Sequence, residues 1–190
     1  MASRKLLAAS VPLLALLGLA GTLFPAAAAS AGSAADSTTY LGHLQNWNLG
    51  VGGSPRCLGI SGGKRDAPAV LWSCEDHTDQ EWTVGKMLPN DYYRIYNGYG
   101  QCLGVSAGST HNGARVVATR CINGDRDQEW QYGRGFGCGK TDRYSPIYNG
   151  KSGKVIGVSG NSTAEGAAIV IWSWVGPASC NNQYWEATGH

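Results

Sequence analysis

Few residues in this 190-residue sequence could do chemistry, and each set has a plainer reading beside it. "GISGG" at 59–63 and "GVSAG" at 104–108 fit G-x-S-x-G, the pattern that lifts a nucleophilic serine onto a sharp turn in α/β-hydrolases. That chemistry needs a strand–turn–helix, an acid and a histidine. No helical pattern follows either motif, and the two stand at equivalent places in a repeat, so both read as glycine-rich turns. The six cysteines could ligate zinc, but they contain no CxxC pair. His43, His77 and His111 fall in polar stretches that read as solvated loops. No phosphate-binding glycine loop, HExxH or pair of catalytic carboxylates occurs. These observations point to a protein that is not an enzyme and uses neither a cofactor nor a metal.

What must position such residues is a repeat. "DQEW" at 79–82 returns at 127–130 and again, altered to "NQYW", at 182–185. Upstream of the three words lie "RCLGISGGKRDAPAVLWSC", "QCLGVSAGSTHNGARVVATRC" and "KVIGVSGNSTAEGAAIVIWSW". Each begins with an apolar pair and Gly, passes through a Gly-rich turn, and runs into an apolar β-branched stretch. The lead-ins "YYRIYNGYG" and "YSPIYNGKSG" match as well. Self-similarity at a fixed period marks a repeat architecture. Short β-branched runs separated by Gly, Asn, Asp and Ser predict about four strands per unit, and hence an all-β fold.

The N-terminus reads differently. Arg4 and Lys5 precede an apolar run that ends in Ala27-Ala28-Ala29, which fits a secretory signal peptide over 1–29. A flexible segment over 30–39 and a single domain over 40–190 would follow, placing the mature protein outside the cell. No other stretch is apolar enough to span a membrane. The chain holds 15 basic and 13 acidic residues, and losing Arg4 and Lys5 leaves 13 of each. A neutral domain has no general field to attract polyanions, so nucleic acid is not an expected partner. An oxidising compartment favours disulfides over zinc. Cys57 and Cys74 occupy the same places in unit one as Cys102 and Cys121 in unit two, and both places change together in unit three, to Val155 and Trp174. The expected pairs are therefore Cys57–Cys74, Cys102–Cys121 and, within unit three, Cys138–Cys180.

Three Gln-x-Trp words in register, C-L-x-V near the unit starts and two matching cysteine pairs resemble the ricin B-chain type of lectin domain. The resemblance covers about residues 40–188. It implies a β-trefoil, with Trp82, Trp130 and Trp185 as structural core residues. It also implies one sugar site per unit, built from an aspartate after the C-L pair, an aromatic platform and the Asn-Gln before Trp. The platform corresponds to Trp72 and Trp172 in units one and three, and to Thr119 in unit two. The Asn-Gln pair corresponds to Asp79-Gln80, Asp127-Gln128 and Asn182-Gln183. Gly59, Gly104 and Gly157 stand where the aspartate belongs. On this reading Trp172, Asn182 and Gln183, with Trp72, Asp79 and Gln80, form weak carbohydrate sites for glycans or polysaccharides. Plainer roles compete: Trp72 and Trp172 as strand core, and Asp79 and Asp127 as turn-closing residues. The functional alternative is a degenerate trefoil, of inhibitor or adhesion type, that acts through protein contacts without binding sugar.

Overall fold

The computed structural model describes residues 38–48, 51–133, 143–176 and 180–189. The expected signal peptide lies outside these residues, and so does Cys138, one half of the expected third disulfide. Strand β1 (Thr39–Gly42) leads into repeat one, which comprises β2 (Leu44–Asn46), β3 (Arg56–Ile60), β4 (Ala67–Ser73) and β5 (Trp82–Val84). Repeat two supplies β6 (Ile95–Asn97), β7 (Cys102–Val105), β8 (Ala114–Thr119) and β9 (Trp130–Tyr132). Repeat three supplies β10 (Ile147–Asn149), β11 (Val155–Val158), β12 (Ala167–Trp172) and β13 (Trp185–Ala187). Among the described residues the only helical pieces are single 3-10 turns, in agreement with the absence of helical periodicity.

The pairings close a ring. The last strand of each repeat pairs antiparallel with the first strand of the next, and each junction sets a tryptophan against an asparagine: Trp82 with Asn97, Trp130 with Asn149, Trp185 with Asn46. The middle strands form three hairpins, β3–β4, β7–β8 and β11–β12. These hairpins in turn pair with one another, through β4–β8, β8–β12 and β12–β4. A barrel capped by a triplet of hairpins is the β-trefoil. Closing the sheet on itself leaves few free edges for another chain to pair with.

The three tryptophans of the repeated words fill the centre. Trp82 and Trp130 are fully buried and Trp185 is 1% exposed. Each indole N–H donates to a carbonyl of its own repeat: Leu58 at 2.9 Å, Leu103 at 2.8 Å and Ile156 at 3.1 Å. An indole buried without such a partner would lose the hydrogen bond it makes to water, so the acceptor matters as much as the space. Around them pack Leu44, Ile60, Leu71, Ile95, Ile147 and Ile171. The G-x-S-x-G stretches are turns, as expected: Ser61, Ser106 and Ser159 each open a three-residue 3-10 segment. Two of the expected disulfides are present, Cys57–Cys74 and Cys102–Cys121, with Cα separations of 5.0 and 5.1 Å. Each ties the start of a hairpin to its end. Cys180 is also disulfide-bonded.

Candidate functional site

Each repeat carries a shallow cavity at its hairpin, walled by the 3-10 turn on one side and the loop before Gln-x-Trp on the other. Their volumes are about 390, 430 and 470 Å³ for repeats one, two and three. The near-equal volumes mean that the three differ in chemistry rather than in size.

The glutamine of each word builds the loop wall. Gln80 Nε2 donates to Ser73 O and its Oε1 accepts from Glu75 N; Gln128 makes the same two bonds to Arg120 and Ile122, and Gln183 to Ser173 and Val175. All three are at most 3% exposed. Gln80 and Gln183 line their cavities, but their amides are engaged with backbone, which makes them positioning residues for the loop. The residue before the glutamine points the other way, onto the strand opposite. Asp79 Oδ2 accepts from Ile60 N at 3.1 Å, Asp127 Oδ1 accepts from Val105 N at 3.4 Å, and Asn182 Nδ2 donates to Val158 O. Turn closure, the plainer role considered for Asp79 and Asp127, falls to other groups. Asp125 accepts from Asp127 N, Asn181 from Gln183 N, and His77 O from Gln80 N.

This placement explains the glycines. A Cβ on Gly59 would stand 3.0 Å from both Asp79 Oδ2 and the Trp72 ring. On Gly104 it would stand 3.0 Å from Gln128 and 3.2 Å from Asp127 Oδ1. Gly157 is looser, with Gln183 at 3.1 Å and Asn182 Oδ1 at 3.5 Å. In pockets one and two a carboxylate is therefore present, supplied by the loop instead of by the strand. Burial and the neighbouring Asp125 carboxylate push Asp127 from the ordinary 3.8 up to about 6.

The platforms are not core. Trp172, at the end of β12, is 46% exposed, and Trp72 is half-buried. Each lies over a glycine of another repeat, Trp72 above Gly166 and Trp172 above Gly113. Those two glycines leave room for an indole. At the third position the pair is different: the Thr119 hydroxyl donates to Asp66 Oδ1 at 2.5 Å. Pocket two thus has a polar wall of Thr119 and Asp66, together with Asp125, Asp127 and Lys151, where its counterparts have tryptophan. Pocket one gathers Trp72 and Asp79 with Tyr99 from repeat two and Glu165 from repeat three. Glu165 accepts from Ser73 and pairs with Arg56 at 2.8 Å, and its carboxyl is held below the ordinary 4.5, chiefly by the Ser73 hydroxyl. The sequence reading missed Tyr99, Glu165, Asp66 and Lys151, because each belongs to another repeat than the pocket it enters. The histidines divide. His77 and His111 are exposed as expected, whereas His43 is partly buried, with Asp76 3.7 Å away.

Residues 46–185 match the model of the ricin-type β-trefoil lectin domain. The chain belongs to this family. Among solved structures, the lectin domain is similar to the designed threefold-symmetric protein ThreeFoil, at 24% identity and a TM-score of 0.60, over 76% of this chain and 96% of that one. It is similar to 1,3Gal43A, an exo-β-1,3-galactanase from Clostridium thermocellum, at 25% identity and a TM-score of 0.58, over 76% of this chain but only 29% of the enzyme. It also resembles the ricin B-like lectin of Macrolepiota procera, solved in complex with lactose, at 19% identity and a TM-score of 0.58, over 80% and 94% of the two chains. No curated protein sequence matches the chain. Carbohydrate binding is the general function that these relationships support. Among the described residues, no helix of the lectin domain is long and apolar enough to cross a membrane.

Proposed function

We propose that the protein is a secreted, extracellular lectin without enzymatic activity, and that it binds glycans or polysaccharides through pockets one and three. The observation that carries this reading is Trp172, a large indole held 46% exposed at a strand end, beside Asn182 in a cavity of about 470 Å³. Exposing an indole costs hydrophobic free energy unless something covers it. The C–H face of a pyranose is such a cover, and Asn182 offers an amide to its hydroxyls. Trp72 and Asp79 supply the same pair of functions in pocket one, with a carboxylate in place of the amide. Neither pocket has an acid on the strand, where Gly59 and Gly157 stand. A single site should accordingly be weak, with Kd on the order of 1 mM, or about −4 kcal/mol. A polymeric glycan that engages both pockets would be held more tightly without any new contact. Pocket two, lacking an aromatic platform, contributes least.

The galactanase activity of the similar enzyme belongs to a chain of which this one covers only 29%, and nothing in this sequence carries a catalytic acid pair. A glycan array probed with the wild-type protein and with Trp172→Ala tests the reading. Hits weakened in the variant, with residual binding through pocket one, are the expected result. An array blank for the wild type would refute glycan binding, and would favour a degenerate trefoil acting through protein contacts.

A further inference from the structure

Pockets one and two each have a wall that their own repeat does not supply. The first strand of every repeat ends in a buried asparagine, Asn46, Asn97 or Asn149. Its Oδ1 accepts from the backbone N–H two residues on: Asn48 at 3.0 Å, Tyr99 at 3.2 Å, Lys151 at 3.3 Å. This Asx turn fixes the local backbone and carries the side chain of the second residue across to the preceding repeat. There it meets the last residue of the 3-10 turn, which has a positive φ in all three repeats: 61° at Gly63, 59° at Gly108 and 55° at Asn161. The Tyr99 ring comes within 2.9 Å of where a Cβ on Gly63 would stand, and Lys151 Nζ within 2.5 Å of that point on Gly108. Asn48 Nδ2 donates to Asn161 Oδ1 at 2.6 Å. A long side chain faces each glycine, and a short one faces the asparagine. One structural position thus places a phenol in pocket one, an ammonium in pocket two and, in repeat three, an amide against Asn161.

Resting on the glycan-binding reading above, we propose that Tyr99 is a ligand-contacting, specificity-determining residue of pocket one. Donated by repeat two, it adds a second aromatic wall to Trp72, and the two take an uncharged pyranose between them. Tyr99 is 54% exposed, yet Asn97 accepts from both Tyr99 N and Gln101 N, so the ring stands on a fixed turn. A rigid aromatic binds at low cost in conformational entropy. The carboxylates of Asp79 and Glu165 line the same cavity, which disfavours uronic and other acidic sugars. Lys151 at the matching place in pocket two gives that cavity no aromatic wall at all.

The test uses the full-length protein carrying Trp172→Ala, so that pocket three is silent, titrated with lactose, a β-1,3-linked galactotriose and a glucuronate-containing trisaccharide. Tyr99→Ala should weaken binding of the neutral sugars about tenfold, the size expected for one aromatic contact of about 1.4 kcal/mol. Tyr99→Phe should stay within about twofold of its parent, since the ring is retained. The acidic trisaccharide should bind more weakly than the neutral ones. Because Tyr99 is exposed, the melting temperature should not move, and a fall would signal a structural role instead. Unchanged affinity in Tyr99→Ala alongside lost binding in Trp72→Ala would overturn this inference alone. Unchanged affinity in both, or no binding by the parent, would overturn pocket one itself.

Discussion

Restoring the missing aspartate is the perturbation that best separates sequence reasoning from structural reasoning. From the sequence alone, Gly59→Asp, Gly104→Asp and Gly157→Asp are equivalent repairs. Each would add a carboxylate able to accept from sugar hydroxyls, at roughly 1.5–3 kcal/mol per charge-assisted bond. The structure makes them unequal. In pocket one the new Cβ meets Asp79 Oδ2 and the Trp72 ring, both at 3.0 Å, and Gln80 at 3.1 Å. Overpacking of this kind costs about 1–3 kcal/mol. The new carboxylate would also stand about 4 Å from that of Asp79, a repulsion of about 4 kcal/mol at an effective dielectric constant near 20, relieved only when one group takes a proton. In pocket three the neighbours are Gln183 at 3.1 Å and the uncharged Asn182 at 3.5 Å. Gly157→Asp is therefore expected to fold, to lose no more than about 1 kcal/mol, and to bind lactose about tenfold or more tighter than wild type. Gly59→Asp is expected to lose about 3 kcal/mol at pH 7, to recover as the pH falls below 5, and to be rescued by a second change, Asp79→Asn. Urea unfolding at pH 4.5 and 7, with a lactose titration of each variant, measures all of this. A Gly59→Asp protein as stable at pH 7 as wild type, with no gain from Asp79→Asn, would refute the argument that the loop carboxylate occupies the strand acid's place.

Three further outcomes are expected. Trp185→Ala should destabilise the fold by about 3–5 kcal/mol, whereas Trp172→Ala should leave the melting temperature within a few degrees, because the first indole is 1% exposed and the second 46%; thermal unfolding followed by circular dichroism decides. The Cys102→Ser/Cys121→Ser double variant should lose about 3 kcal/mol, the chain-entropy value for a loop of 19 residues, as read from urea midpoints. Asp127 is held at about 6 in the fold against an ordinary 3.8, so the native state binds its proton more tightly than the unfolded chain does. Its contribution is favourable at low pH and is lost as the pH rises from about 4 through 6. Asp127→Asn should accordingly stabilise by about 2 kcal/mol at pH 7.5 with little effect at pH 3.5, and a pH-independent difference would contradict the assignment.

Much of this was legible before any coordinates, because it follows from short-range pattern repeated three times. Trp82, Trp130 and Trp185 had to be equivalent, and so did the pairs Cys57–Cys74 and Cys102–Cys121. Residues whose surroundings are set within one repeat carry their role in their spacing. Gln80 and Asp79 show where that legibility ends. Neighbours in sequence, they point to opposite sides of one loop, Gln80 tying down the backbone and Asp79 reaching into the cavity.

What the sequence determined by itself is the repeat unit: its strands, its central tryptophan, the disulfide of units one and two, and the glycine-rich turn at each hairpin. Each follows from local hydrophobic patterning and turn chemistry, which need no knowledge of where the chain goes next. Only the tertiary structure decided what each pocket contains. The ring closes by pairing the last strand of one repeat with the first strand of the next, and pockets one and two each borrow walls from the two other repeats. Thr119 meets Asp66 across 53 residues, and Ser73 meets Glu165 across 92. Tyr99 reaches the first pocket and Lys151 the second because an Asx turn in the following repeat aims them there. Contacts of that range are set by the threefold closure of the barrel, and no local pattern in the chain encodes which side chain arrives.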